Sequence, residues 1–440
     1  MTAHPANAIV TRYPALGFPQ FRRYWFASFA SVGATQLVTL GQGWLIYELS
    51  GSAFQLGVLG AAASIPNILM TLLGGVIADR FDRRRILMVT SAITAVLLAV
   101  LTVLDLTGLV TVWHVLTIAA LISLVSGLDW PARASIFPLL LDRHAYLSGV
   151  ALNAFIWQAT RMAIPAAGGL LIAVAGDTWP VFAFAAVGFA VMVGVLLGIR
   201  VTVPPPAQTS PLEQLKEGFA FILNTDVFRW LLGLTFVGMF FAMSYVQIMP
   251  VFANLLGTDE AGYGYLLSAG GLGSVVGTLL IGMFQESRRL GWIMFGGAAA
   301  SVVLLVGFAA TTSLASLPLA LALTFLVSAS ASAWMIISMT VMQLLVPDAL
   351  RGRVMGIHTI GYSLIPLGGL FLGSLAESLG ADWAVITGAG IYLLAIGVTV
   401  LSQAKLRSLD GGALQADEEA AGIEKPDAST EQGPQPLTTR

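Results

Sequence analysis

The chain has 440 residues, 57% of them apolar and 10% charged, with a mean hydropathy of +0.85. Soluble domains hold about 45–50% apolar and about 25% charged residues, so a single water-soluble core is excluded. The net charge of −2 says nothing about nucleic acid, but no basic tract is suited to it, and the absence of cysteine removes disulfides, thiolate metal sites and cysteine catalysis.

Residues 1–21 form a short polar leader, read as cytoplasmic. Arg22 and Arg23 precede an apolar run of roughly 25 residues, longer than the ~7–15 of a cleaved signal peptide. Apolar runs of membrane-spanning length then recur along most of the chain. In the first half, residues 22–200, they predict helices over 23–49, 53–78, 86–106, 111–138, 146–175 and 179–199. Ser50-Gly51 ends the first, and Gly176-Asp177 turns the chain after the fifth. Residues 201–228 break the pattern. They are Pro-rich, then amphipathic, with Leu212, Leu215, Phe219 and Ile222 at helical spacing. Two readings stand for this linker: a helix lying on the membrane surface, or a solvated connector touching the bundle. The second half, 229–405, predicts helices over 229–256, 261–284, 290–310, 314–345, 354–379 and 383–404. Residues 406–440 have no periodic apolar face and read as a disordered tail. The class is therefore all-α and polytopic, with 12 membrane helices in two six-helix halves.

The basic residues set the orientation. With both termini in the cytoplasm, every Lys and Arg except Arg133 and Arg161 falls inside or in the tail, while the outer loops carry Glu48, Asp105, Asp177, Asp259, Glu260 and Asp382. The halves also echo each other about 200 residues apart. Gly75-x-x-x-Asp79-Arg80 is answered by Gly282-x-x-x-Glu286-Ser287, and Ile164-Pro165-x-x-Gly168-Gly169 by Ile365-Pro366-x-Gly368-Gly369. Two repeated halves joined by a polar linker are a transporter architecture, with the cargo site near mid-bilayer between them.

Ionisable residues inside membrane helices are costly and usually functional. Asp129 and Arg133 stand four residues apart in GLDWPAR. They share a face and can pair if the fourth helix continues through Pro131, and otherwise lie in a wet loop after Gly127. Arg161 lies about 15 residues into the fifth helix, roughly 22 Å along it, facing the central cavity, where it is paired or meets an anionic substrate. Gln36, Gln42, Asn153, Tyr245, Gln247, Trp334 and Tyr362 are candidates for a cavity lining, although for any one of them a helix–helix hydrogen bond or an anchor at the lipid interface is the stronger reading. His358, one turn into the eleventh helix, reads as a wet interfacial histidine.

Four motifs in order carry a resemblance: FRRYW before the first helix, WLIYELSGS ending it, ADRFDRRR after the second, and VPDALRGRVMG before the eleventh. Together they resemble the major facilitator superfamily over nearly the whole chain, in the branch of enterobactin exporters and related drug efflux proteins. Asp82 stands where the family's loop motif usually has glycine. The resemblance implies that Gly75, Asp79, Arg80, Arg83 and Arg84 gate the conformational change, Asp79 facing the start of the eleventh helix. It also implies that Pro165, Gly168 and Gly169 tighten helix packing as in proton-driven antiporters, with Ile164 in place of that motif's glycine.

No Gly-x-x-x-x-Gly-Lys-Ser/Thr stretch suggests ATP, and no cofactor or metal is implied. The expected function is a proton-coupled exporter of a small amphipathic molecule, siderophore-, drug- or metabolite-like, in the inner membrane. Its expected partners are substrate, protons and the lipid bilayer, and its state monomeric. Asp129 is the expected proton carrier, competing with its pairing to Arg133 or Arg161. The alternatives are an uptake symporter or uniporter of the same fold, and a membrane enzyme acting on a lipid-linked substrate. The enzyme would need clustered His, Asp or Glu, whereas His4, His114, His144 and His358 are scattered.

Overall fold

The computed structural model describes residues 13–80, 82–199, 211–284 and 286–413, with side chains at 72–80, 130, 131, 135, 211–215, 348 and 349 outside the description. The leader before 13, the linker over 200–210 and the tail beyond 413 fall outside these residues. The N-terminal half comprises α1 (Pro19–Ser50), α2 (Ala53–Arg80), α3 (Arg83–Leu106), α4 (Val112–Ile136), α5 (Tyr146–Ala175) and α6 (Trp179–Gly198). A linker helix (Pro211–Asn224) leads to α7 (Asp226–Leu255), α8 (Glu260–Gly282), α9 (Leu290–Ala310), α10 (Leu317–Leu345), α11 (Leu350–Leu379) and α12 (Ala381–Ser402). Among the described residues there is no strand.

Eleven of these helices are long and apolar enough to cross a membrane. The twelfth, α1, is long enough at 32 residues, but Ser28, Ser31, Thr35, Gln36, Thr39 and Gln42 dilute its apolar character. It packs against α5 and α6 as a full member of the bundle. The expected stops hold: Gly51 and Gly176 adopt left-handed φ of 62° and 69° and cap α1 and α5, a conformation that costs glycine nothing.

Each end of the bundle has its own chemistry. Glu48, Asp105, Asp177 and Glu260 gather within electrostatic reach of one another at one end, the acidic end. The other end, the basic end, carries Arg83–Arg85, Arg229, Arg351 and Arg353. There, Asp82 caps α3 by accepting from the Arg84 backbone N–H at 2.9 Å. The replacement of the usual glycine thus starts a helix. Arg84 donates to the last carbonyls of α6, from Nε to Leu196 O at 2.6 Å and from Nη2 to Leu197 O at 3.0 Å. A cation on a helix C-terminus is favourable on both counts. Arg84→Ala is therefore expected to cost about 1 kcal/mol and to lower the thermal midpoint in detergent more than Arg85→Ala at its exposed neighbour.

The halves meet through two repeat-related helix pairs. In one, α5 approaches α8: Gly264 lies against the Pro165 carbonyl, Gly169 against the Glu260 carbonyl, and a Cβ on Gly271 would sit 2.5 Å from Arg161 O. In the other, α11 approaches α2: a Cβ on Gly57 would sit 2.7 Å from Gly369 O, and Gly60 lies against the Pro366 carbonyl. Small residues let helix backbones touch in this way. Glu377 of α11 also accepts from Ser52 Oγ at 3.0 Å and Phe54 N at 3.3 Å, capping the start of α2 from the opposite half. These contacts concentrate toward the acidic end.

The linker helix is docked on the bundle. Gly218 packs against Arg353 and Ile357 of α11, Glu217 pairs with Arg353, and Ile222 is buried. Phe219 remains exposed.

Candidate functional site

A cavity of about 250 Å³ lies between the halves. Its wall comes mostly from the C-terminal half: Thr235 and Tyr245 of α7, Ser274 and Thr278 of α8, Ser301 of α9. Ser328, Ser332 and Trp334 of α10, Tyr362 of α11 and Tyr392 of α12 complete that side. The N-terminal half contributes Gln158 and Arg161, both on α5. Two helices leave regular geometry beside it. α7 passes through a π turn at Gly238–Ala242 and a 3-10 stretch at Met243–Ile248, and α11 through a 3-10 turn at Gly361–Ser363. Such departures from the α ladder mark functional segments in membrane helices. Trp334 is fixed by its Nε1 donating to Thr235 Oγ1 at 3.0 Å.

A second cavity of about 100 Å³ is lined by Gln36 and Thr39 of α1, Met249 of α7, Leu266 and Gly270 of α8, and Thr324 of α10. Three helices agree on its position. On α7 the lining advances from Thr235 to Met249, on α8 it retreats from Thr278 to Leu266, and on α10 from Trp334 to Thr324. Each step leads toward the acidic end. Arg161, Tyr245, Val246 and Ser328 line both cavities and form the neck between them.

The charges on α4 form a separate site. The helix runs unbroken through position 131, so Asp129 and Arg133 lie within it. Arg133 Nε donates to Asp129 Oδ2 at 2.5 Å, and Arg133 Nη1 to Ser31 Oγ at 3.0 Å. Thr90 Oγ1 donates to Asp129 Oδ1 at 3.2 Å. The partner of Asp129 is thus Arg133 and not Arg161. A polar cavity of about 40 Å³, lined by Thr90, Thr94, Ser126 and Trp157 among others, adjoins the pair.

Of the sequence-predicted lining, Gln36, Tyr245, Trp334 and Tyr362 reach a cavity wall. Gln247 does not: within the 3-10 stretch it turns to pack on Gly369 of α11. Gln42 is buried in the bundle, its amide nitrogen without a hydrogen-bond partner among the described residues. Asn153 is half-buried and lines none of these cavities. Pro165 and Gly169 sit at the α5–α8 contact, while Gly168 faces Leu37 and Leu40 of α1. The side chains of Gly75, Asp79 and Arg80 lie outside the description; Arg83 is half-buried at the start of α3. His358 is 2% exposed with its ring 5.9 Å from that of Tyr362, which replaces the wet interfacial reading. Sequence reasoning missed Ser274, Thr278, Ser328, Ser332 and Tyr392. Isolated hydroxyls on small-residue helices give no periodic signal, because they satisfy themselves on their own backbone, as Thr278 does on Ser274 O at 2.7 Å.

The sequence pattern of the transmembrane secretion effector family matches residues 11–434. The chain belongs to that family. It is a transporter of the major facilitator type and not an enzyme, and it is multi-pass in the membrane. Within the family's reach are two curated relatives. The multidrug efflux pump Tap of Mycolicibacterium fortuitum is 27% identical over 398 residues, covering 88% of this chain and 96% of Tap. The enterobactin exporter EntS of Escherichia coli O81 (strain ED1a) is 26% identical over 394 residues, covering 87% and 91%. Among solved structures, the nucleoside transporter NupG has a TM-score of 0.69 at 14% identity, covering 87% of this chain and 98% of its own. A bacterial homologue of the iron transporter ferroportin, in an inward-facing state, has a TM-score of 0.67 at 15% identity, covering 87% and 99%. These two likenesses concern the fold alone.

Proposed function

We propose that this transporter exports a small amphipathic molecule across the inner membrane by alternating access, driven by protons, and acts as a monomer with both termini in the cytoplasm. The observation that carries the reading is the place of the larger cavity. It lies between the halves, behind the tight α5–α8 and α2–α11 contacts at the acidic end, and reaches Thr278, about one helical turn from the basic end of α8. Basic residues favour the cytoplasmic side, so this is a state poised to take cargo from within. The efflux and export that Tap and EntS are named for support the outward direction.

Coupling is assigned to the Asp129–Arg133 pair, where protonating the carboxylate would release Arg133 and Ser31 of α1. The adjoining polar cavity has room for water. Gating is assigned to the basic end, with Gly75, Asp79, Arg80 and Arg83 meeting the opposite half when that end closes. Arg84 stays with its own half, braced on α6. Protein-loaded everted vesicles test the flux. A panel of amphipathic dyes is expected to accumulate inside on imposing an inward-acid gradient and to leave on adding a protonophore. Accumulation in right-side-out vesicles alone would replace this reading by an uptake symporter, and flux indifferent to the gradient by a uniporter.

A further inference from the structure

The larger cavity is built almost entirely from groups without charge. Its hydroxyls are largely committed to their own helices: Ser332 donates to Ser328 O at 2.9 Å and Ser301 to Ala298 O at 2.7 Å. What such hydroxyls still offer to a guest is acceptor lone pairs. Among the described residues, no Asp or Glu lines either cavity.

Arg161 is the exception. Its backbone is pinned mid-membrane, where the α5 carbonyl meets Gly271 of α8. Its side chain is exposed to the cavity space, and among the described residues no carboxylate lies within ion-pair distance. Asp129, the acid on the neighbouring face of the half, is held by Arg133 and Thr90. Around the guanidinium stand Tyr245 and Tyr362, both within its electrostatic reach. An arginine kept at mid-bilayer with no protein counter-ion is unusual, since membrane cations are commonly paired. It presents a planar fork of donors matched to a carboxylate or similar oxyanion. A cation entering the same space would meet repulsion that the low dielectric strengthens.

We propose that the cargo of this transporter is an amphipathic organic anion, whose acidic group pairs with Arg161 at the neck between the two cavities while its apolar body lies against Trp334 and Leu305. The inference rests on the central cavity being the cargo site. Because Arg161 borders both cavities, one ion pair serves the cargo on each side of the neck as it moves toward the acidic end. A soluble anion is preferred to a lipid headgroup, because the neck lies between two cavities inside the bundle.

The test is calorimetric binding of three isosteric probes, 2-naphthoate, 2-naphthamide and 2-naphthylmethylammonium, to the full-length protein in phosphatidylcholine nanodiscs. Naphthoate is expected to bind on the order of tenfold tighter than the amide, and the cation weakest of the three. Arg161→Gln should bring naphthoate down to the affinity of the amide and leave the amide within about twofold, whereas Arg161→Lys should keep part of the preference. Lack of naphthoate binding to the unaltered protein, equal binding of the three probes, or a preference that survives Arg161→Gln overturns the inference. Ser332→Trp, which fills the larger cavity, separates this from the cavity reading. If it blocks the probes while Arg161→Gln changes nothing, the anion assignment alone fails. If it blocks none, the cargo site is elsewhere. Loss of naphthoate binding on replacing phosphatidylcholine by phosphatidylglycerol would overturn the soluble assignment in favour of a lipid headgroup.

Discussion

Asp129→Asn is expected to abolish gradient-driven accumulation while sparing downhill exchange. The amide keeps one acceptor, Oδ1, for Arg133, and its Nδ2 donates to Thr90 Oγ1, but it carries no charge and takes up no proton. The substitution has a structural cost as well. Arg133 is 11% exposed and Asp129 21% exposed, so removing one partner strands a largely buried cation, at a cost of about 3 kcal/mol. A stability loss alone could lower transport. The double variant Asp129→Asn with Arg133→Gln separates the two effects, since it removes both charges and leaves hydrogen-bonding groups in their place. It is expected to recover most of the thermal midpoint and none of the accumulation. Recovery of accumulation along with stability would show that the pair only holds α4 to α1 and α3.

Gly60→Leu is expected to drive the transporter out of the state described. Gly60 lies against the Pro366 carbonyl on the backbone of α11, so a side chain cannot be met by a rotamer change and the helices must part. Parting at the acidic end is a motion that the export cycle already contains. The variant should therefore remain folded and populate the opposite state. The sequence has no cysteine, so a single Gln36→Cys reporter in the outer cavity is read against no background. Its labelling by a membrane-impermeant maleimide from the acidic side should rise by about tenfold or more, the change that roughly 1.4 kcal/mol of bias brings. Gly264→Leu, on the repeat-related pair, should act in the same direction. Unchanged labelling in both would mean that these contacts do not close the path.

The helices were legible because each apolar run is bounded by its own stop signals, and the Pro-Gly-Gly echo located the two segments that mirror each other between halves. α1 is the instructive exception. Its glutamines and threonines thin its hydropathy, and its flanking motifs and length place it nevertheless. For the site, legibility followed charge. Arg161 stood out as a guanidinium in an apolar helix, and Asp129 with Arg133 as an i, i+4 pair conditional on the helix passing Pro131. The uncharged lining was legible only in part: Gln36, Tyr245, Trp334 and Tyr362 reach a cavity wall, whereas Gln42, Asn153 and Gln247 do not. Gln247 falls in a 3-10 stretch of about three residues per turn, so a phase read at 3.6 aims it wrongly. His358 looked wet from its place near a helix end, but the linker helix packs on that end of α11 and His358 is buried.

The uneven wall of the larger cavity has a consequence for how such a transporter can change over generations. The ion pair on α4 and the lining of the larger cavity are on different halves, apart from Gln158 and Arg161 on α5. On the proposed coupling, substitutions at Ser274, Ser301 or Tyr392 would reshape what is carried without disturbing what powers the carrying. A lineage built on that proposed division would diversify its cargo by drift in one half, while the other half is held fixed as the engine.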